Sequence, residues 1–268
     1  MPPVKKRTRT RSYDSARIRA AVLTQFGSVR EAVRALTDEQ LALPAQLGDW
    51  TVRDLAAHIT MAVESVSRIL DEEPPARQDV SLLEYPSLSL TPGLAEAVAE
   101  GSRALAAAHA DLDALYTRTA VRIEERLPGA PDERLLATRL GAMTLLDYLV
   151  TRTVELVVHT DDLNRAAGLD IPVERQALAA CTRFLADALA AKAPGGSTEV
   201  RIPPFAVVQC VEGPRHTRGT PPNVVETDPL TWIRLATGRT TWEAELAAAH
   251  VSASGERADL SVLLPLMG

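Results

Sequence analysis

From Met143 to Leu163 the chain reads Met-Thr-Leu-Leu-Asp-Tyr-Leu-Val-Thr-Arg-Thr-Val-Glu-Leu-Val-Val-His-Thr-Asp-Asp-Leu, an apolar-periodic run that predicts one long helix. Its polar residues restrict how that helix can pack. Glu155 and His159 are four apart, so they lie one above the other on a single face. The neighbours Leu156, Val157 and Val158 are apolar, which turns that face toward an interior. A buried carboxylate and imidazole need partners, because an unpaired buried charge is costly. An earlier segment, Asp54-Leu-Ala-Ala-His58, carries one more imidazole on the apolar stripe Leu55, His58, Ile59, Val63, Val66 and Ile69. Two facing helices would bring His58, Glu155 and His159 together. Three protein ligands with a fourth position open are the layout of a catalytic rather than a structural metal site. Asp54, four before His58, or Asp162, three after His159, would orient an imidazole from behind. Most Glu/His pairs at this spacing are plain surface contacts, so the apolar flanks and the third residue carry the reading.

The rest of the first half is helical in period. Ile18, Val22, Phe26, Val29, Val33 and Leu36 mark a helix from Ser15, and Thr37-Asp-Glu-Gln starts a short one. Gly48-Asp-Trp-Thr51 opens the His58 helix, which runs to about residue 70. Residues 71–91, with Pro74, Pro75 and Pro86, read as a long loop. Thr91-Pro92 caps an Ala-rich helix to about Arg126, and the last helix runs from about Gly141 to Ala167, stopped by Gly168. Four long helices without a strand-like run predict an antiparallel four-helix bundle over residues 14–170, and bundle cores are where facing helices build metal sites.

After Ile171-Pro172 the pattern changes. One amphipathic helix to about Lys192 is followed by strand-like segments 198–202, 205–211, 223–226 and 260–264 and by helices after Asp228 and Thr241. Residues 171–268 therefore read as a small α+β domain with an antiparallel sheet. Residues 1–13 read as a disordered basic tail with no apolar stretch behind it, not a secretory signal.

With 46% hydrophobic and 24% charged residues, the 268-residue chain has a globular composition. A net charge of −6 argues against a general nucleic-acid binder. No stretch approaches the roughly 18 apolar residues of a membrane span. Cys181 and Cys210 lack the spacing of a zinc ribbon or redox motif and read as core thiols, so the expected compartment is the cytoplasm. His109, His216 and His250 are given no ligand role. Asp147 and Tyr148 are expected near the bundle interior, where a core hydrogen bond is favoured over contact with substrate, and Trp50 reads as a packing anchor.

Two segments carry a resemblance. Leu47-Gly-Asp-Trp-Thr-Val-Arg-Asp-Leu-Ala-Ala-His58 and Arg152-Thr-Val-Glu-Leu-Val-Val-His159-Thr-Asp-Asp-Leu resemble the two metal-ligand motifs of the mycothiol-dependent maleylpyruvate isomerase family. The resemblance implies a DinB-like bundle holding a divalent metal, usually zinc, through His58, Glu155 and His159. Asp228-Pro-Leu-Thr-Trp-Ile-Arg-Leu-Ala-Thr-Gly-Arg239 is similar to that family's C-terminal, sterol-carrier-like domain. By the same resemblance Arg239 lies at the site and holds a carboxylate of substrate or of mycothiol; a salt bridge closing the helix end is the competing role. The implied activity is that of an isomerase or thiol S-transferase acting on a small electrophile with mycothiol as the thiol. The alternative is a sterol or lipid carrier, with an apolar ligand in the C-terminal domain and a non-catalytic bundle.

Overall fold

The structure, a computed structural model, describes residues 11–213 and 221–268. His216 and most of the basic tail lie outside the described residues. Arg11, at the tail's end, donates from Nε to Asp187 Oδ2 at 2.8 Å.

The first half is built from helices α1 (Ser15–Arg34), α2 (Asp38–Leu41), α3 (Val52–Leu70), α4 (Tyr85–Ser89), α5 (Leu94–Ala108) and α6 (Leu112–Arg126), a hairpin β1 (Leu135–Thr138) and β2 (Gly141–Thr144), and α7 (Leu145–Ala167). Four of the five long helices start on a side-chain cap, α5 beginning instead at Gly93 in the left-handed conformation. Asp14, Thr51, Asp111 and Thr144 accept from backbone N–H groups of the first turns of α1, α3, α6 and α7, and Gly168 ends α7 in the left-handed conformation. Helix α1 packs on α6 and α7, and α3 packs on α5, α6 and α7. Their shared core holds Phe26, Leu55, Ile59, Tyr116, Ile123 and Leu149, each at most 2% exposed. Phe26 stacks on Tyr116 with centroids 5.2 Å apart, and the Tyr116 hydroxyl donates to Ala56 O at 2.8 Å.

Three expectations for this half are corrected. The Ala-rich helix is two helices: the chain breaks at His109-Ala110, whose carbonyls accept from Arg53 Nη2, and Asp111 caps a fresh start. The stretch before α7 is an antiparallel hairpin and not helix, with Leu135 opposite Thr144 and Thr138 opposite Gly141. Gly141 sits at φ 123°, and a Cβ there would meet Val80 Cγ2 at 2.7 Å. Finally, residues 71–91 are not all loop. They contain a 3-10 turn, Leu82–Glu84, and α4, and the backbone N–H groups of Asp79 and Val80 both donate to Ala142 O on the hairpin.

The second half runs α8 (Arg175–Lys192), β3 (Thr198–Ile202), β4 (Ala206–Cys210), β5 (Val224–Thr227), α9 (Pro229–Ala236), α10 (Trp242–Ala247) and β6 (Val251–Ser254). The sheet order is β4-β3-β5-β6. It is mixed rather than antiparallel throughout, because β3 and β5 run parallel, Val200 opposite Val225. The last strand is Val251–Ser254, while Ser261–Leu263 is a 3-10 turn whose first N–H is held by Asp259. Val200 and Ile202 point from β3 into a core with Phe184, Leu185 and Trp232. Helix α8 packs against α1, α7, α9 and β4, so it joins the two halves.

Candidate metal centre

His58 lies two turns into α3, and Glu155 and His159 lie in the middle of α7, where the two helices pack together. The i,i+4 spacing that stacks Glu155 on His159 brings their acceptor atoms to 3.3 Å, Nε2 to Oε2. His58 Nε2 approaches the same Oε2 at 3.4 Å. One ligand atom from each residue falls within 4.8 Å of the others. The two rings meet edge to face with centroids 4.7 Å apart, and Trp50 tilts against His58 at 5.1 Å. Both histidines are 7% exposed.

The hydrogen bonds behind the rings assign their tautomers. His159 Nδ1 lies 3.0 Å from Asp162 Oδ2, a carboxylate that can only accept. His58 Nδ1 lies 3.1 Å from Ser102 Oγ, and Ser102 donates its own proton to Val98 O at 2.8 Å. In the neutral rings both Nδ1 atoms therefore carry the proton, and both Nε2 atoms present lone pairs. Two bare imidazole nitrogens and a carboxylate oxygen then converge with no donor between them. With both rings neutral this arrangement is repulsive, and a proton on His159 Nε2 or a cation at the centre relieves it. The 3.3 and 3.4 Å separations also match the edge of a tetrahedron with bonds of about 2.0–2.1 Å, which is about 3.3 Å. The donor set fits a divalent metal.

Electrostatics around the centre follow from the same contacts. Burial favours the neutral forms, yet bonds from His159 and His58 and the Arg152 charge hold Glu155 well below the usual carboxylate range. Burial pushes His58 down. Burial would lower His159 too, but Asp162 and Glu155 outweigh it and raise it. Asp162, despite burial, is lowered to about 2 by His159 and Arg239.

The sequence-predicted residues distribute as follows. His58, Glu155 and His159 come together, and among the described residues they are the group of three with metal-ligating geometry. Asp162 backs His159. Asp54 does not back His58: its carboxylate accepts from Thr51 N and Oγ1 in a capping box, and Ser102 on α5 takes that place. Asp147 is the N3 residue of α7, its N–H held by Thr144 Oγ1, and the Tyr148 hydroxyl pairs with Ser65 Oγ. Arg239 donates from Nη2 and Nε to Asp162 Oδ2 at 3.3 and 3.4 Å and from Nη1 to Thr237 O at 2.8 Å. It also lines a small cleft with Val154, Glu155, Val158, His159 and Met267. Sequence reasoning missed Ser102, Arg152, Tyr85 and Arg234. Ser102, Tyr85 and Arg234 reach partners remote in sequence that no local spacing signals, whereas Arg152 lies three before Glu155 on the same helix face, a spacing that could have pointed to it.

Comparison with known sequences places these residues in a lineage. Residues 22–164 match the family described as mycothiol maleylpyruvate isomerase N-terminal domain. That is more than half of the chain. The chain belongs to the mycothiol maleylpyruvate isomerase family. Residues 174–266 match a second family, described as bacterial SCP ortholog. No curated protein matches the sequence significantly. Two crystal structures of the mycothiol-dependent maleylpyruvate isomerase share the fold. A mutant form aligns with a TM-score of 0.60 at 16% identity, over 92% of this chain and 95% of that one. The other form aligns at 0.58 and 15% identity with the same coverage. For a family member of this kind, His58, Glu155 and His159 all fall inside or at the helices of the matched N-terminal segment, and Arg239 falls inside the SCP segment.

Proposed function

We propose that the protein is a metal-dependent thiol enzyme of the maleylpyruvate isomerase type, in which His58, Glu155 and His159 hold one divalent ion. Zinc suits two imidazoles and one carboxylate. The observation that carries this reading is the convergence of three lone pairs, Nε2 of both histidines and Oε2 of Glu155, with both Nδ1 protons committed elsewhere. When bound, the metal lets a low-molecular-weight thiol such as mycothiol sit there as thiolate near neutral pH, where a free thiol of pKa about 8.5 is mostly protonated.

The chain's own residues do the rest. Ser102 and Asp162 hold the imidazoles in one tautomer and one orientation. Val154 and Val158 wall the cleft and exclude water. Arg239 faces the cleft as the anion-binding group for a carboxylate of substrate or thiol. The reaction class is addition of the thiol sulfur to a conjugated double bond of a small electrophile. Release of the sulfur after rotation gives isomerisation, and retention gives S-transfer. In this reading residues 14–170 form the metal-binding unit and residues 171–268 cover its open end. Among the described residues no helix is long and apolar enough to cross a membrane, and two free, buried cysteines suit a reducing cytoplasm.

Metal analysis followed by thermal melts tests the proposal. A thiol that binds the folded protein raises its melting temperature with concentration. Mycothiol should do so in the metal-loaded protein and not after metal is stripped. A response to fatty acids or sterols alone, independent of metal, would make the chain a lipid carrier and refute the enzyme reading.

A further inference from the structure

Glu155 presents its two oxygens to different partners. Oε2 faces both imidazoles, whereas Oε1 lies 3.6 Å from Arg152 Nη2. Arg152 sits three residues earlier on the same face of α7, and its side chain is only 6% exposed. It is held from several sides. Nη2 donates to the Tyr85 hydroxyl at 2.8 Å, and Nε and Nη2 donate to Thr151 Oγ1 at 3.2 and 3.1 Å. The guanidinium carbon lies 4.4 Å from the Tyr148 ring centroid, and the Tyr148 hydroxyl is fixed by Ser65 Oγ at 2.7 Å. Tyr85 is 8% exposed and comes from α4, in the proline-containing segment for which the sequence offered no role.

A buried guanidinium beside a cation site carries a cost. Arginine does not lose its proton, and a divalent ion at Glu155 would repel it. Among the described residues, no carboxylate accepts a hydrogen bond from Arg152. An apolar residue of similar volume would fill the space with less desolvation. What an apolar residue cannot do is occupy Oε1. A carboxylate that binds metal through both oxygens takes up two coordination positions, and here the second would be the open one. With Oε1 turned to a fixed cation, only Oε2 is offered.

Resting on the metal reading above, we infer that Arg152, braced by Tyr85 and Tyr148, is a positioning residue that keeps Glu155 a single-oxygen ligand and so keeps the fourth position free for the thiol. Its charge also acts on what enters. A divalent ion, Glu155 and Arg152 together leave an excess of positive charge in a buried site, which favours an anionic sulfur over a neutral donor.

Cobalt(II) in place of the resident ion tests this, because its visible absorption is intense when four-coordinate and weak at higher coordination number. Arg152→Gln removes the charge; Tyr85→Phe removes only the hydroxyl that orients it. The cobalt-loaded wild-type protein should show the intense band, and both variants should show it weakened, Arg152→Gln more so, at unchanged cobalt stoichiometry. Mycothiol affinity, titrated through the sulfur-to-cobalt charge-transfer band, should fall about ten- to a hundredfold in Arg152→Gln and less in Tyr85→Phe. An unchanged spectrum and thiol affinity with only a lowered melting temperature would make Arg152 a core ion pair and overturn the inference. If Arg152→Gln does not fold, the Tyr85→Phe spectrum decides alone. Failure of the wild-type protein to take up cobalt would instead refute the metal reading, and this inference with it.

Discussion

Asp162 is the position where a substitution separates metal positioning from anion binding. Its side chain is fully buried and touches His159 Nδ1 at 3.0 Å, Arg165 Nη2 at 2.5 Å and Arg239 Nη2 at 3.3 Å. Asp162→Asn preserves the shape and leaves His159 an acceptor, but a neutral one. A hydrogen bond to a charged partner contributes about 1.5–3 kcal/mol and a neutral one about 0.5–1.5. The exchange therefore costs about 1–1.5 kcal/mol at His159, which is close to tenfold in metal affinity. Arg239→Gln acts one step further out through two long bonds, so on its own it should lower metal affinity by under about 1 kcal/mol. Thiol affinity should behave differently. If Arg239 holds an anionic group in the cleft, its loss costs about ten- to a hundredfold there, and the loss persists in the Asp162→Asn background. Metal affinity by competition with a chromophoric chelator, and thiol affinity by calorimetry on the four proteins of the cycle, give both numbers. Unchanged metal affinity in Asp162→Asn would refute the orienting role. No additional thiol loss from Arg239→Gln in that background would show that Arg239 acts only through Asp162.

Three further outcomes are expected. His159→Ala removes one of three ligands and should abolish stoichiometric metal retention, as metal analysis after dialysis would show; retention equal to wild type would dislodge the site. In the metal-free protein His159 is raised above the ordinary histidine value by Asp162 and Glu155, against its burial, so it is the ligand that protons claim first. Metal uptake should weaken as pH falls through its range, already above about 6.5, and a flat uptake curve down to about pH 6 would contradict this. Gly141→Ala, with its backbone at φ 123° and a Cβ 2.7 Å from Val80 Cγ2, should lower stability by more than about 1 kcal/mol, read as a shifted denaturation midpoint.

Much of the frame was legible because it is written in local chemistry. The 3.6-residue stripes of α1, α3 and α7 and the helix start at Thr51 are short-range signals, and the structure keeps them. The hairpin before α7 was not legible, since two four-residue strands are too short to show a period of two. Val251–Ser254 was hidden for another reason: Val-Ser-Ala-Ser has little strand character and is made a strand by pairing with β5, Ala253 opposite Val225. At the site, His58, Glu155 and His159 could be paired from helical spacing and apolar flanks. Ser102 could not, because it reaches His58 from α5, 44 residues away. Asp54 was a misleading candidate: it lies four before His58 but also three after the N-cap Thr51, which makes it the N3 residue of a capping box, and the local backbone bonds win.

The adjacent acids Asp161 and Asp162 explain how the second half holds its place beside the cluster of His58, Glu155 and His159. Neighbouring residues on a helix point about 100° apart, so each reaches a different arginine. Asp162 turns inward to His159 and Arg239, while Asp161 takes Arg234 in a two-point contact at 2.6 and 2.8 Å. Arg234 lies in the last turn of α9 and Arg239 just beyond it, after the left-handed turn at Gly238. A single ion pair would be a pivot about which α9 could swing. Two pairs on different faces fix its rotation as well as its position. Arg165 bonds both acids from the α7 side, at 3.2 and 2.5 Å, so neither carboxylate can leave its arginine without disturbing the other. The geometry of His159 is thereby tied to the seating of the C-terminal half, and a chain whose halves separated would lose the cleft wall and the orientation of one ligand together.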